Sequence, residues 1–428
     1  MAIKTEDIET SGGGCPVMHG YNPLEQKELD DPFPSYRRAR EEVPVFWSEE
    51  FGFWSVSRRE DVLAIIRDTE RFSNRMAIPM PDPPEHMRDR MPKYPFATAL
   101  LFLDDPEHRP ARKMVQAPFT PRRLREMQPL IRERAEVQMR LDDPDRRIDF
   151  VRDYAVPLAL VVIGEIIGVP EQDFPLLERS IEGAFQIASG VATDAEIEAL
   201  AEGQLEYWEY LCSVVEDRRR NPKDDFSSVL SEFRDEDGST PTTDEIAAHI
   251  NTILGAGFET SAQMMTFGMQ AILEHRDQWE LLKSDPELLP RAVEECVRYR
   301  TVIKRNFRVT NCDVEVGGVP IPEGSLVAIM NGCANRDESA LPAADRFDIT
   351  REVDNLTFGR GKHFCLGAPL SKLEMKVTLE AFMERAPDAI VVPDQKFEHK
   401  KDLRLDGLTA LQLDLGPVPA IARERKAR

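Results

Sequence analysis

The sequence predicts a mainly α chain with a smaller β-rich part, folded as a single domain. Three observations carry that prediction. Apolar residues recur at helical spacing through most of residues 107–300. The last third changes to short β-like runs between Gly and Pro turns. No stretch after residue 25 has the composition of a linker. Residues 1–25, with Gly12, Gly13 and Gly14, are expected to form a flexible tail, residues 26–418 the domain, and residues 419–428 a basic C-terminal tail.

Residues 35–43 read as a helix that Pro44 stops, because proline disfavours the helical region for its predecessor. Val45–Val56 fits a hairpin around Gly52, and Arg59–Arg67 a helix. Six prolines in residues 77–98 exclude a long regular element and leave a surface loop or a lid over a ligand. Amphipathic or buried helix patterns follow at 121–141, 154–167, 173–189, 194–220 and 223–234. Thr242 and Thr243 offer caps for a helix over 244–275, and Ala368–Arg385 is the last helix. The β-like runs are Val314–Val316, Leu326–Met330, Ala389–Val392 and Leu411–Leu415.

Composition narrows the function classes. The 428 residues carry a net charge of −22, which repels phosphate backbones and anionic lipid. Nucleic-acid binding is therefore not expected. No charge-free run of 18 apolar residues stands in the chain, so membrane insertion is not expected either. The six cysteines include no CxxC pair and are too few for a disulfide framework. With a polar, acidic N-terminus, these features point to a reducing, cytoplasmic setting.

The helix over 244–275 is apolar nearly all round, the pattern of a buried helix. Yet Gly255 and Gly257 stand in its middle, each costing up to about 1 kcal/mol against alanine. Glu259 and Thr260 follow directly. One reading is a kinked core helix in which Thr260 bonds the carbonyl of Ala256. The other is a helix thinned for a flat ligand or a diatomic gas, with an acid–alcohol pair relaying protons to it.

The second constellation runs from Phe358 to Gly367. Gly359 and Gly361 permit tight turns, and Pro369 suits the first turn of the helix that follows. Cys365 then sits at a helix N-terminus, where N–H groups and the dipole stabilise a thiolate. A thiol there can be a small buried side chain, a nucleophile with His363 as its base, or a thiolate ligand to haem iron beside Phe358. A dinucleotide loop is excluded, because Phe364 stands where the third glycine belongs.

Two charged pairs complete the inventory. His108 and Arg112 share a helix face and could hold a carboxylate or simply be solvated. Glu295 and Arg298, at i and i+3, make either a weak surface pair or a buried clamp.

Together these pieces resemble the cytochrome P450 superfamily, the haem-thiolate monooxygenases, and in particular its soluble bacterial members. Phe358 to Gly367 looks like the family's FxxGxxxCxG loop. Ala256–Ser261 looks like its oxygen-activating helix motif, Glu295–Arg298 like its ExxR, and Asp345-Arg346-Phe347 like the segment that completes the clamp. The likeness extends from about residue 30 to 415.

The resemblance implies a helical prism enclosing haem b, iron protoporphyrin IX, with Cys365 as the iron ligand. It implies haem propionates held by His108, Arg112, Arg308 and His363, and Phe358, Gly367 and Ala256 beside the cofactor. Thr260 and Glu259 would steer protons to dioxygen, and Glu295, Arg298 and Arg346 would form a folding clamp. Pro110, which lacks an N–H, is compatible with the His108 contact only in a helix's first turn.

The activity so implied is insertion of one atom of dioxygen into a C–H bond of a small hydrophobic substrate, by hydroxylation or O-demethylation. The length leaves no room for a fused redox domain, so electrons are expected from a ferredoxin or flavodoxin with its reductase. Arg360, Lys362, Lys113, Arg122, Arg123 and Arg125 are the cations that could steer such a partner. Pocket contacts are expected from 77–98, 180–190, Ala256, Val302, Ile303 and 402–405. Arg88, Lys93, Lys304 and Arg305 could meet a substrate carboxylate or solvent. The rival readings are a peroxide-driven haem oxidase, a non-enzymatic haem-thiolate sensor, and a cysteine hydrolase using Cys365 and His363.

Overall fold

The computed structural model describes residues 15–76, 78, 81, 84–87, 89, 99–139, 146–234 and 238–417. The expected C-terminal tail, Arg88, Lys93 and most of the proline-rich stretch lie outside these residues. The N-terminal boundary needs correction. Val17 bridges Trp47, and Met18 is buried against Tyr36 and Phe46, so an apolar anchor holds part of the expected tail to the domain.

The helices are α1 (Gln26–Asp30), α2 (Phe33–Glu42), α3 (Arg59–Arg67), α4 (His108–Val115), α5 (Pro121–Gln138), α6 (Val156–Ile167), α7 (Phe174–Ala188), α8 (Asp194–Arg220), α9 (Phe226–Glu232), α10 (Thr243–Glu274), α11 (Arg276–Ser284), α12 (Leu289–Tyr299), α13 (Asn331–Ala334) and α14 (Ala368–Arg385). Local chemistry sets several ends. Thr193 and Thr242 build capping boxes with Glu196 and Glu245, satisfying first-turn N–H groups of α8 and α10. Gly168, at φ +87°, ends α6 in the left-handed conformation that glycine adopts without strain. The helix expected from 154 is preceded by a wider π-helical stretch, Phe150–Ala155. Pro157 has no N–H to return to Asp153, which favours this local widening.

The strands are β1 (Val45–Ser48), β2 (Phe53–Val56), β3 (Phe72–Ser73), β4 (Arg147–Asp149), β5 (Asn306–Thr310), β6 (Val314–Val316), β7 (Val319–Ile321), β8 (Leu326–Ile329), β9 (Ile390–Val391) and β10 (Gln412–Asp414). The main sheet has the order β1-β2-β8-β5-β3, with only β2 and β8 parallel. A three-stranded sheet, β4-β10-β9, and the β6-β7 hairpin complete the β part.

Helix α10 runs through the core, packed on α6, α12, α14 and α8. Its glycines have separate roles. A Cβ at Gly257 would meet Ile163 at 2.8 Å, and one at Gly268 would meet Met375 at 2.7 Å, so these positions let α6 and α14 approach. A Cβ at Gly255 would meet nothing within 4 Å.

Arg298 is fully buried at the centre of a clamp. Its guanidinium holds Glu295 at 2.7 and 2.8 Å and bonds the carbonyls of Asn335, Ala344 and Arg346. The third arginine is not the one expected. Arg351 Nε lies 3.5 Å from Glu295 Oε1, whereas Arg346 is exposed and contributes its carbonyl. The chain turns between these residues, and Asp348 N bonds Glu295, so fold geometry rather than nearness to Phe347 selects the partner.

Candidate functional site

The cysteine loop is shaped by its backbone. Gly359 and Gly361 both sit at φ +68°, a region where a side chain would be strained. Cys365 N bonds the carbonyl of Phe358 at 2.9 Å, closing the loop ahead of α14. The cysteine is exposed, and it lines a cavity. Burial pushes its thiol up, against the N–H groups of Gly367 and Ala368 and the charge of Arg112, which favour the thiolate. The expected helix N-terminal effect is present but outweighed.

Four nitrogen-bearing side chains converge beside this loop. Arg112 and Arg308 line the cavity with His363. His108 is 3% exposed, and its ring centroid lies 4.1 Å from that of His363. Arg112 bonds the carbonyl of Phe364 at 2.9 Å, tying α4 to the loop. Pro110 falls in the first turn of α4, where its missing N–H costs no helix bond.

Burial disfavours the charge on every member of this cluster. It pushes Arg308 down to about 10, and with His108 and Arg308 it pushes His363 down to about 3. His108 and Arg112 are lowered in the same direction. His108 Nε2 is buried without a partner. Among the described residues no carboxylate forms an ion pair with Arg112 or Arg308. Such a cluster is satisfied by a ligand carrying carboxylates. One thiol facing a cavity beside arginines that form no ion pair among the described residues is the donor set haem requires, so these residues fit that group.

The cavity has a volume of about 320 Å³, within the range of small-molecule sites. Its apolar wall includes Ile163, Ile181, Phe185, Ile253 and Met264. Gly255, Ala256 and Thr260 of α10 also line it, as do Val302, Ile303, Phe358 and Gly367. The Thr260 hydroxyl donates to the Ala256 carbonyl. Glu259 does not join them. Its carboxylate accepts from Lys400 Nζ at 2.7 Å and from Gln263 Nε2 at 3.3 Å, outside the cavity lining.

Other expected contacts divide. Ile181, Ala184, Phe185, Ala188, Arg404 and Leu405 line the cavity, with Ile78 from the proline-rich stretch. Lys304 and Arg305 do not. Both are buried elsewhere, Arg305 on the Tyr21 hydroxyl at 2.9 Å and Lys304 pushed down to about 8 by burial. His249 is a buried polar residue of the wall that sequence reasoning did not single out, and Arg404, in the expected 402–405 segment, is another buried polar residue there. The signal for His249 was an imidazole inside an apolar run. On the outer side, Arg360 pairs with Asp354, Lys362 with Asp105, Arg122 with Glu126, and Arg123 with Asp224 and Glu126. The positive patch is thus partly neutralised. No described helix is long and apolar enough to cross a membrane.

Comparison with known proteins gives a consistent result. The family model for cytochrome P450 matches residues 270–387. The chain is 33% identical over 395 residues to the vitamin D(3) 25-hydroxylase of Pseudonocardia autotrophica, covering 90% of this chain and 94% of the relative. A solved structure of cytochrome P450 CREJ in complex with (4-ethylphenyl) dihydrogen phosphate superposes with a TM-score of 0.86 at 29% identity, covering 92% of this chain and 99% of that one. An intact type IV self-sufficient cytochrome P450 monooxygenase superposes with a TM-score of 0.90 at 29% identity, covering 99% of this chain and 57% of that one.

Proposed function

The chain belongs to the cytochrome P450 family, and from that premise we propose that it inserts one oxygen atom of dioxygen into a C–H bond of a small hydrophobic substrate, by hydroxylation or O-demethylation. The reading includes a ferredoxin or flavodoxin with its reductase as electron source, and a cytoplasmic setting. The observation that carries it is the Cys365 thiol facing an apolar cavity beside four nitrogen-bearing groups, of which Arg112 and Arg308 form no ion pair among the described residues and His108 Nε2 has no partner.

Haem, when bound, supplies the redox and oxygen-activating chemistry, and a thiolate ligand favours O–O cleavage. Cys365 would ligate the iron through Sγ. Arg112, Arg308, His108 and His363 would hold the two propionates, each exchanging an unfavourable buried charge or an unpaired donor for a charge-assisted bond. The Thr260 hydroxyl, oriented by the Ala256 carbonyl, can hold a proton at the cavity wall. Glu259, bound to Lys400, would act on Thr260 as a positioning residue through α10 rather than by touching the cavity. The apolar side chains of α7 and α10 exclude water and favour a hydrophobic substrate.

Thr260 at the wall supports dioxygen over peroxide as oxidant. The apolar wall contributed by α7 and α10 supports turnover of an organic substrate over gas sensing. The hydrolase reading fits poorly, since a cysteine pushed up beside an imidazole pushed down to about 3 is not a thiolate–imidazolium pair.

The test is the absorption spectrum of the purified protein, ferric and then reduced under carbon monoxide, for wild type and Cys365→Ala. A strongly red-shifted Soret band that the substitution abolishes is expected. A colourless protein that refuses added haem, or a band unchanged by the substitution, would overturn the assignment.

A further inference from the structure

One cation of the cavity wall is left over once haem is accounted for. Arg404 is 8% exposed and lines the cavity from the segment that runs beside Val302 and Ile303. It is tied to α7 and not to the cysteine loop. Its Nε bonds the carbonyl of Ala188, the last residue of α7, at 3.2 Å. Its terminal Nη2 is buried with no partner, and among the described residues it forms no ion pair. Asp402 is nearby, but it spends Oδ1 on the backbone N–H groups of Arg404 and Leu405. Burial lowers the pKa of Arg404, with Asp402 offsetting only part.

A guanidinium held in this way is oriented and unsatisfied. With Nε committed to Ala188, the edge bearing the two terminal nitrogens is left. On that edge Nη2 is a donor without a partner, able to give a charge-assisted bond to a carboxylate oxygen. The surroundings are otherwise apolar, with Ile181, Ala184, Phe185 and Leu405 in the same wall. Asp402 offsets only part of the cost of burying this arginine against such side chains, and a ligand anion would reduce the remainder.

We propose that the substrate is a hydrophobic carboxylic acid whose carboxylate docks on Arg404, leaving its apolar body along α7 and α10. The proposal rests on the monooxygenase reading, since it names that enzyme's substrate class. Arg404 would then select substrates and fix their orientation, while the chemistry stays at the other groups.

The test uses the haem-loaded full chain and two matched pairs, dodecanoic acid with methyl dodecanoate and 4-butylbenzoic acid with its methyl ester. Binding is followed by calorimetry and by the ferric Soret shift. In wild type at least one acid should bind roughly 10- to 100-fold more tightly than its ester, the range expected for charge-assisted bonds in a desolvated site. Arg404→Gln should remove that preference. Arg404→Lys, which keeps the charge but not the planar fork, should retain part of it. The proposal is overturned if no acid outbinds its ester in wild type, or if a folded Arg404→Gln or Arg404→Lys protein keeps the full preference. The carbon monoxide spectrum separates the two readings. A normal red-shifted band without acid preference rejects this inference alone, and a missing band rejects the monooxygenase assignment whatever the calorimetry gives.

Discussion

Lys400 Nζ sits 2.7 Å from Glu259 Oε1, and this bond holds the carboxylate next to Thr260 outside the cavity wall. Two residues adjacent in sequence therefore serve different sides of α10. Glu259 is 7% exposed at its side chain and Lys400 38%, so the pair is buried mainly on the acid's side. Removing the lysine leaves the acid short of a partner. Lys400→Met should lower stability by about 1–3 kcal/mol, and Glu259→Gln in the same chain should restore much of it. Chemical denaturation of the two single variants and the double variant measures this. Additive losses would show that the pair is not coupled.

Thr260 and Glu259 should also separate in catalysis. Thr260→Ala removes the hydroxyl at the cavity wall, and product formed per dioxygen consumed should fall by roughly tenfold or more, within the range for a positioned proton-transfer group. Glu259→Gln keeps the shape and the bond from Gln263, and should change that ratio by no more than about threefold. Product yield against oxygen uptake distinguishes them. Equal losses would mean that Glu259 leaves Lys400 during turnover.

The clamp makes a second contrast. Glu295 is fully buried and holds Arg298 and the N–H of Asp348, so Glu295→Gln strips charge from a buried network and should cost about 3–5 kcal/mol. Arg351→Ala removes a cation 3.5 Å from Glu295, while Arg346→Ala spares the carbonyl that Arg298 uses. The Arg351 substitution should therefore lower the melting temperature more than the Arg346 one. The reverse order would restore Arg346 to the clamp.

Gly255 and Gly257 test the shape of the cavity. A methyl group at position 257 would strike Ile163, so Gly257→Ala should destabilise by about 1–3 kcal/mol. Gly255→Ala meets nothing within 4 Å and improves helix propensity, so it should stabilise the ligand-free chain by up to about 1 kcal/mol. The same methyl group would intrude on whatever occupies the cavity, and haem or substrate affinity should fall. Melting curves with and without haem read both effects. A Gly255→Ala chain that loses stability without ligand would refute the assignment of open space there.

How much of this was legible follows from the kind of signal each part gives. The cysteine loop and α14 were readable because Gly359, Gly361 and Pro369 act locally, through backbone rules that need no fold. The separation of Glu259 from Thr260 was readable in principle. At 3.6 residues per turn Ala256 lies beneath Thr260, and Glu259 pairs with Gln263 along another stripe. Strand β5 was not readable, because Arg308 and Phe307 are both buried and the alternation of a half-buried strand is lost. Neither was the Arg351 contact, which depends on how residues 335–351 wrap around Arg298. Arg404 was legible only as part of the 402–405 segment, since its burial depends on how the fold closes over it.

Glu374 supplies a stability prediction with a defined pH window. It lies in α14, 1% exposed, with Oε2 unpartnered. Burial pushes its carboxyl up from 4.5 to about 8, and the bond with Ser261, itself 2.9 Å from Ser371, offsets only part of that. A carboxyl with a folded pKa above its unfolded value favours folding in its protonated form. Its contribution is therefore full below about pH 4.5 and is lost as pH rises to about 8. In that window the group alone would lower stability by up to about 1.4 kcal/mol per pH unit. Glu374→Gln keeps the shape and removes the titration. The variant should match wild type near pH 4 and exceed it increasingly toward pH 8 in urea denaturation. Parallel stability curves across that range would mean that Glu374 finds a counter-charge or water in the folded protein and ionises normally.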